Sequence, residues 1–182
     1  PKCLLQRRRG RATRDGTAVD GHDGHQLADR GRREHLVGGK TLELTHLGPG
    51  HGEDMIAVVV RPENVAFIVD VASPDRLPYQ DFGGASIDDY IAQIAKAETL
   101  DFEIFAPGHG RIGTPEEVAE NRVYVETLRA GVLEGLKEGK SVEAITAELT
   151  LDDYKDWQQY ADWRPMNIAG VAYYLTKNGL VE

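Results

Sequence analysis

The sequence predicts an α/β fold, with a strand-rich first half and a helical second half. Residues 41–47 alternate apolar and polar side chains, which is the period of a half-buried strand. Residues 55–60 and 65–71 are continuous apolar runs rich in β-branched residues, and they predict two further strands. Residues 87–98 carry apolar side chains at helical spacing, and a longer amphipathic helix is predicted to end near residue 139. The strands therefore predict one central sheet, and the helices follow it in the chain.

Local signals define where several elements begin and end. The Pro-containing turn at residues 61–64 predicts a hairpin between the second and third strands. Ser86 is predicted to cap a helix, because acidic residues follow it in the first turn, where the helix dipole favours them. Residues 102–106 predict a short strand that runs into a Pro/Gly turn. Thr114 precedes a proline at the first helical position, and residues 166–177 predict a last helix.

Length, charge and cysteine content exclude several classes of protein. The chain has 182 residues, a net charge of −9 and one cysteine. One cysteine excludes an internal disulfide framework and a cysteine-based zinc site. There is no apolar run of about 18 residues, so no transmembrane helix and no membrane partner are predicted. The chain starts at Pro1 and shows no signal peptide; we expect a fragment or processed product, with the cytoplasm favoured over the periplasm.

The charge is unevenly distributed along the chain. Residues 1–35 contain nine Lys/Arg and five Asp/Glu, which leaves 12 Lys/Arg and 25 Asp/Glu for the remainder. A body with this acidic excess lacks the basic face that phosphate binding requires, and so we expect no nucleic acid partner.

Residues 1–35 also differ in composition from the rest of the chain. They contain only eight apolar residues, no aromatic residue and no periodic pattern, so we expect them to lack a stable fold. Two hypotheses explain the tract: out-of-frame translation of GC-rich DNA, or a basic tail that binds RNA or an acidic surface. The predicted organisation is therefore a disordered or aberrant tract over 1–35, an incomplete α/β core over 36–120 and a helical region over 121–182.

Three short segments each place one metal-competent side chain directly after a predicted strand or inside a Gly/Pro turn. Gly-Pro-Gly precedes His51, Phe-Ile-Val precedes Asp70, and Ala-Pro-Gly precedes His109. Imidazole and carboxylate together suit zinc and similar divalent ions. The intervals of 19 and 39 residues leave room for one hairpin and then a loop-helix-strand unit. We therefore expect the three side chains to meet at one end of the sheet.

This pattern resembles that of the metallo-β-lactamase-fold hydrolases, over residues 40 to 118. The resemblance implies that the chain is the C-terminal part of an αββα sandwich with a helical C-terminal extension. It also implies one or two zinc ions, or other divalent metals, with His51 on one metal, His109 on the other and Asp70 bridging both as the catalytic carboxylate. The implied reaction is attack of a metal-bound hydroxide on a small-molecule ester, thioester, lactone or amide-type substrate.

The chain departs from the family pattern in one respect. Members carry a His-x-His-x-Asp-His motif upstream, and the nearest segment here, residues 21–25, has its two histidines three positions apart. The truncated ligand set leaves a second hypothesis open, namely a catalytically impaired or non-catalytic remnant that lacks half of the metal ligands.

Residues near His51 have more than one reading. His46 lies with the polar residues of its strand, which predicts a surface or supporting position rather than metal ligation. Glu53 and Asp54 either orient the His51 ring or cap the entry to the hairpin.

Aromatic residues occur in two groups. Tyr79 and Phe82 lie in a Pro/Gly-interrupted loop, where packing is favoured over a role as a wall of a substrate cleft. Trp157, Tyr160 and Trp163 cluster before Pro165 and are also predicted to pack. The alternative for this tail is a binding module that forms a homo-oligomer or contacts another partner chain.

Overall fold

The structure is a computed structural model that describes residues 31–182. It contains one five-stranded sheet in the order β1-β2-β3-β4-β5, antiparallel except for the parallel pair β4 and β5. The strands are β1 Arg32–Val37, β2 Lys40–His46, β3 Ile56–Arg61, β4 Val65–Ile68 and β5 Ile104–Pro107. The helices are α1 Ile87–Glu98, α2 Pro115–Lys137, α3 Val142–Glu148 and α4 Tyr160–Lys177, and short 3₁₀ turns occupy Phe82–Gly84 and Asp152–Tyr154. The α/β class predicted from the sequence is confirmed.

The two faces of the sheet have different environments. Ala57, Val59, Ala66, Ile68 and Phe105 alternate with outward residues and are at most 2% exposed, in one core with the helices. The opposite face is also apolar but half-buried or exposed. It carries Leu42, Leu44, Val58, Val60, Val65, Phe67 and Ile104, and the register brings Leu44, Val58 and Phe67 into line across three strands. The helices therefore cover one face of the sheet.

The helices begin where the sequence signals predict. The Ser86 hydroxyl accepts a hydrogen bond from the Asp89 backbone N–H at 3.3 Å, which caps α1. The Thr114 backbone N–H donates to the Glu117 carboxylate at 2.8 Å before Pro115 starts α2. These caps fix the starts of the two helices that lie beside the cleft described below.

Two sequence-based boundaries need correction. The boundary at residue 35 falls inside β1, because residues 32–35 pair with β2; this pairing uses backbone groups and does not need an apolar segment. The rest of the predicted disordered tract, residues 1–30, lies outside the described residues. The last helix begins at Tyr160 rather than at 166 and contains Pro165 inside it, because packing of the helix against the core outweighs the one backbone hydrogen bond that the proline removes. No helix within residues 31–182 is long and apolar enough to cross a membrane.

Candidate functional site

The side chains of His51, Asp70 and His109 lie together at one edge of the sheet. His51 is in the loop between β2 and β3, Asp70 follows β4, and His109 follows β5. His109 Nε2 is 3.1 Å from Asp70 Oδ1, and His51 Nε2 is 3.8 Å from Asp70 Oδ2. Each imidazole therefore faces a different oxygen of the same carboxylate. All three residues line one cleft.

The Asp70 carboxylate is presented by a tight turn directly after β4. The Val71 backbone N–H donates to the Val69 carbonyl at 2.9 Å, and Asp70 at the centre of this turn has φ of 62°. A positive φ is uncommon for a residue other than glycine, and such strain concentrates at functional sites. Gly108 permits the close approach of the His109 turn, because a Cβ there would lie 2.5 Å from Val69 Cγ1 and 3.3 Å from Asp70 Oδ1.

The His51 loop is held by a side chain from α1. Gln93 is fully buried, and its Oε1 accepts a hydrogen bond from the His51 backbone N–H at 2.9 Å. Its Nε2 donates to the carbonyls of Gly48 at 2.5 Å and Gly52 at 3.2 Å. A Cβ at Gly50 would lie 2.6 Å from Gln93 Oε1, so the loop closes around this amide only because residue 50 is glycine.

Two other buried amides hold the remaining walls of the cleft in the same way. Asn121 of α2 accepts from the Ser73 N–H at 3.2 Å and donates to the Ser73 carbonyl at 3.0 Å. Asn167 of α4 accepts from the Tyr124 hydroxyl at 2.7 Å and donates to the carbonyls of Pro78, at 3.0 Å, and Gln80. Buried polar side chains are costly unless they are satisfied. Helical amides thus fix the His51 loop and two segments of the loop after β4.

The cleft has a volume of about 650 Å³ and a mixed lining. Glu53 and Asp89 line it in addition to the three candidate metal ligands, and its apolar lining is formed by Leu77, Pro78, Tyr79, Phe82, Tyr90 and Trp163. An apolar cleft with a few convergent polar groups is the usual form of a small-molecule site.

Tyr90 connects the apolar part of the cleft to the Asp70 turn. Its hydroxyl donates to the Asp70 backbone carbonyl at 3.5 Å, and its ring packs edge-on against Phe82 with centroids 5.4 Å apart. Burial raises the pKa of the Tyr90 phenol well above its usual range, and the neighbouring Asp70 carboxylate raises it further. The phenol therefore stays protonated and remains a donor to the turn.

The donor set partly fits a metal. Two ligands of a tetrahedral zinc ion at bond lengths near 2.05 Å are about 3.3 Å apart, and the two His–Asp distances of 3.1 and 3.8 Å lie on either side of that value. The number of ligands is smaller than a zinc site requires. Within residues 31–182, no group of three or more His, Cys, Asp or Glu side chains has the geometry to hold one metal ion. Each oxygen of Asp70 has one imidazole beside it, whereas a catalytic zinc normally has three protein ligands.

Two contacts place the residues around His51. His46 lies outside the cleft, and its Nε2 is 2.7 Å from the Glu53 carbonyl. Gln93 holds the backbone of the His51 segment, and a role of Glu53 or Asp54 in orienting the His51 ring stays a prediction. Sequence reasoning did not identify Gln93, because a single glutamine on an amphipathic helix carries no signal for a loop 42 residues away.

The aromatic residues divide between packing and the cleft. Trp157 packs with Tyr124 and Tyr154, with ring centroids 5.8 and 4.8 Å away, as predicted for a core residue. Trp163 instead lines the cleft together with Tyr79 and Phe82, the loop residues for which packing was favoured. Phe82 does both, because it is also 8% exposed and packs on Tyr90.

Comparison with known proteins supports the fold. No protein-family model and no curated protein matches this chain. A solved metallo-beta-lactamase family protein from Thermus thermophilus matches 81% of this chain and 48% of its own, with a TM-score of 0.54 at 16% identity. The stereoselective inverting sec-alkylsulfatase Pisa1 from Pseudomonas matches 79% of this chain and 25% of its own, with a TM-score of 0.63 at 16% identity.

These matches establish the metallo-β-lactamase fold for the described chain. The chain spans less than half of the length of either matched structure. The fold recognised from the sequence is thereby confirmed.

Proposed function

We propose that this chain carries the metal-binding floor of a hydrolase cleft, with His51, Asp70 and His109 as the metal ligands it contributes. The observation that carries this proposal is the approach of two imidazoles to the two oxygens of one carboxylate, at the edge of a sheet with the metallo-β-lactamase fold. Zinc is the ion that this donor chemistry suits best. When bound, the metal supplies activation of water and polarisation of the substrate oxygen.

The residues around these ligands have positioning roles in the proposal. Asp70 is the shared carboxylate, and Tyr90 and the turn after β4 hold its backbone in place. Gln93 holds the backbone of His51, and Gly108 leaves space for His109 beside Asp70. Loss of a supporting group of this kind typically weakens metal binding about 10- to 100-fold.

The substrate is proposed to be a small molecule with an ester, thioester, lactone or amide-type bond. The size and partly apolar lining of the cleft support a small organic substrate. The similarity to a sec-alkylsulfatase adds sulfate esters to the substrates worth testing.

The number of ligands favours a second candidate, a remnant that binds metal weakly and turns over little substrate. A metal beside either oxygen of Asp70 would have two protein ligands, the oxygen and one imidazole, rather than three. Both the affinity for the metal and the activation of water should therefore be reduced. The two candidates share the same ligands and differ in whether chelator-sensitive turnover occurs.

Zinc titration of histidine variants tests the proposed ligands. We expect His109→Ala and Asp70→Asn to weaken zinc binding at least tenfold, because each removes one of only three proposed metal ligands. His46→Ala is the matched control, since this imidazole lies in the same sheet but outside the cleft. Equal effects of His46→Ala and His109→Ala would contradict the assignment.

Turnover separates the hydrolase from the remnant. The same variants are assayed on a panel of ester, thioester, lactone, amide and alkyl sulfate substrates, with and without a chelator. Chelator-sensitive turnover that His109→Ala abolishes supports the hydrolase. Zinc binding without turnover on any substrate, by the same preparation, supports the remnant.

A further inference from the structure

The apolar wall of the cleft contains a cation, Arg76, that no carboxylate of the described part of the chain neutralises. The Arg76 guanidinium lies over the Trp163 ring, 5.0 Å from its centroid, and the edge of Tyr79 meets the same ring at a centroid distance of 5.2 Å. Arg76 belongs to the loop after β4, whereas Trp163 belongs to α4. The C-terminal helical region thus supplies one wall of the cleft and orients an arginine within it.

Among residues 31–182, the absence of a counterion distinguishes Arg76 from Arg111 and Arg122. Arg111 pairs with Asp75 and Glu117, and Arg122 pairs with Glu98 and Glu126. Across residues 31–182, the Arg76 side chain makes neither an ion pair nor a hydrogen bond, and its recorded contact is with Trp163. Arg76 is half-buried, and a guanidinium over an aromatic ring can still donate its N–H groups to a ligand.

We propose that Arg76 and Trp163 form an anchor for a planar or tetrahedral oxyanion group, a carboxylate or a sulfate, on the substrate of this cleft. Arg76 is the one Lys or Arg side chain among the described residues that line the cleft. The acids Glu53, Asp70 and Asp89 also line the cleft and disfavour an anion near themselves, so Arg76 is the side chain that would attract it. The guanidinium edge matches two oxygens of such a group at once.

The rest of the wall defines the body that carries the anion. Leu77, Pro78 and Phe82 line the same cleft as Arg76, and Tyr79, which also lines it, is 59% exposed. A short apolar chain or ring attached to the oxyanion would cover this surface and remove it from water. The substrate class is therefore an amphipathic anion. As a substrate site the anchor rests on the proposed function, but binding of the anion requires no metal.

Calorimetric titration with three ligands of equal chain length tests the anchor. Hexanoate, hexyl sulfate and hexanol are titrated into the full chain in the presence of a chelator, so that zinc makes no contribution. We expect at least one anion to bind about tenfold more tightly than the alcohol, and Arg76→Gln to remove that preference, as expected for a lost charge-assisted contact. The tighter of the two anions identifies the group as carboxylate or sulfate.

Matched variants keep the test specific. Lys177→Gln removes a cation that lies over Tyr173, 5.4 Å from the ring and outside the cleft, and should leave anion binding within about twofold. Arg76→Lys retains the charge without the planar edge and should bind the anion with an affinity between those of the unmodified chain and Arg76→Gln. If Arg76→Gln does not fold, a reduced anion preference in Arg76→Lys tests the same anchor. Asp70→Asn should lose zinc but keep the anion, so that failure of the metal site and failure of the anchor are distinguishable. Equal affinity for hexanol and both anions, or an unchanged preference in Arg76→Gln, would overturn the proposal.

Discussion

Replacement of Gln93 by methionine separates the stability of the cleft from its ability to bind metal. The buried amide makes three hydrogen bonds to the backbone of the His51 loop, and methionine has a similar shape but makes none of them. At about 1 kcal/mol net per bond, the loss is about 3 kcal/mol in the free energy of unfolding. For a chain of this length, such a loss lowers the melting temperature by roughly 6–12 °C.

The Gln93→Met substitution should also weaken zinc binding through the His51 loop. His51 would lose the bond that fixes its backbone, and loss of a supporting contact typically weakens metal binding about 10- to 100-fold. Zinc affinity is measured by competition with a chromogenic chelator, and stability by thermal denaturation followed by circular dichroism.

The matched control is Asn167→Leu. This buried amide also makes three hydrogen bonds, but they hold Tyr124 and the loop carbonyls of Pro78 and Gln80 on the other side of the cleft. We expect a similar loss of stability with zinc affinity within about threefold of the unmodified chain. Equal weakening of zinc binding by the two variants, or no weakening by Gln93→Met, would refute the role given to Gln93.

Two further predictions concern the Asp70 turn and the pH dependence of stability. Gly108→Ala should destabilise the chain and weaken zinc binding together, because the new Cβ would lie 2.5 Å from Val69 Cγ1 and 3.3 Å from Asp70 Oδ1; normal zinc affinity in a folded variant would contradict this geometry. The hydrogen bond from Arg61 lowers the pKa of Glu43 below its ordinary value of 4.5, so the stability of this pair is present above that value and is lost as the pH falls through the lowered pKa. Denaturant unfolding between about pH 5 and pH 3 should therefore show a shallower loss of stability in Glu43→Gln than in the unmodified chain.

The part of the site formed by strand ends was predictable from the sequence. Apolar runs before Asp70 and before the Gly/Pro turn of His109 predict strands whose ends lie at one edge of a sheet, and the structure places both side chains there. Their role as ligands stays a prediction. The placement follows from local signals, because strands and turns are encoded by residues adjacent to the site.

Contacts made across the fold were not predictable in this way. Gln93 reaches His51 over 42 residues, and a helical pattern shows only that its position faces inward, not which loop it meets. Trp163 and Arg76 meet because α4 starts before Pro165, although the proline suggests a later start. Strand β1 was not predicted, because it lies partly in a tract of low apolar content. Its pairing with β2 depends on backbone hydrogen bonds, which the apolar content of a segment does not report.

Anomalous scattering at the zinc absorption edge tests the central claim most directly. Crystals of the full chain grown with zinc should show an anomalous peak within about 2.0–2.2 Å of a carboxylate oxygen of Asp70 and of His109 Nε2 or His51 Nε2. The peak should disappear in Asp70→Asn and persist in His46→Ala. A peak that persists in Asp70→Asn, or zinc bound only at other histidines while His51 and His109 carry none, would contradict the metal centre proposed for this cleft.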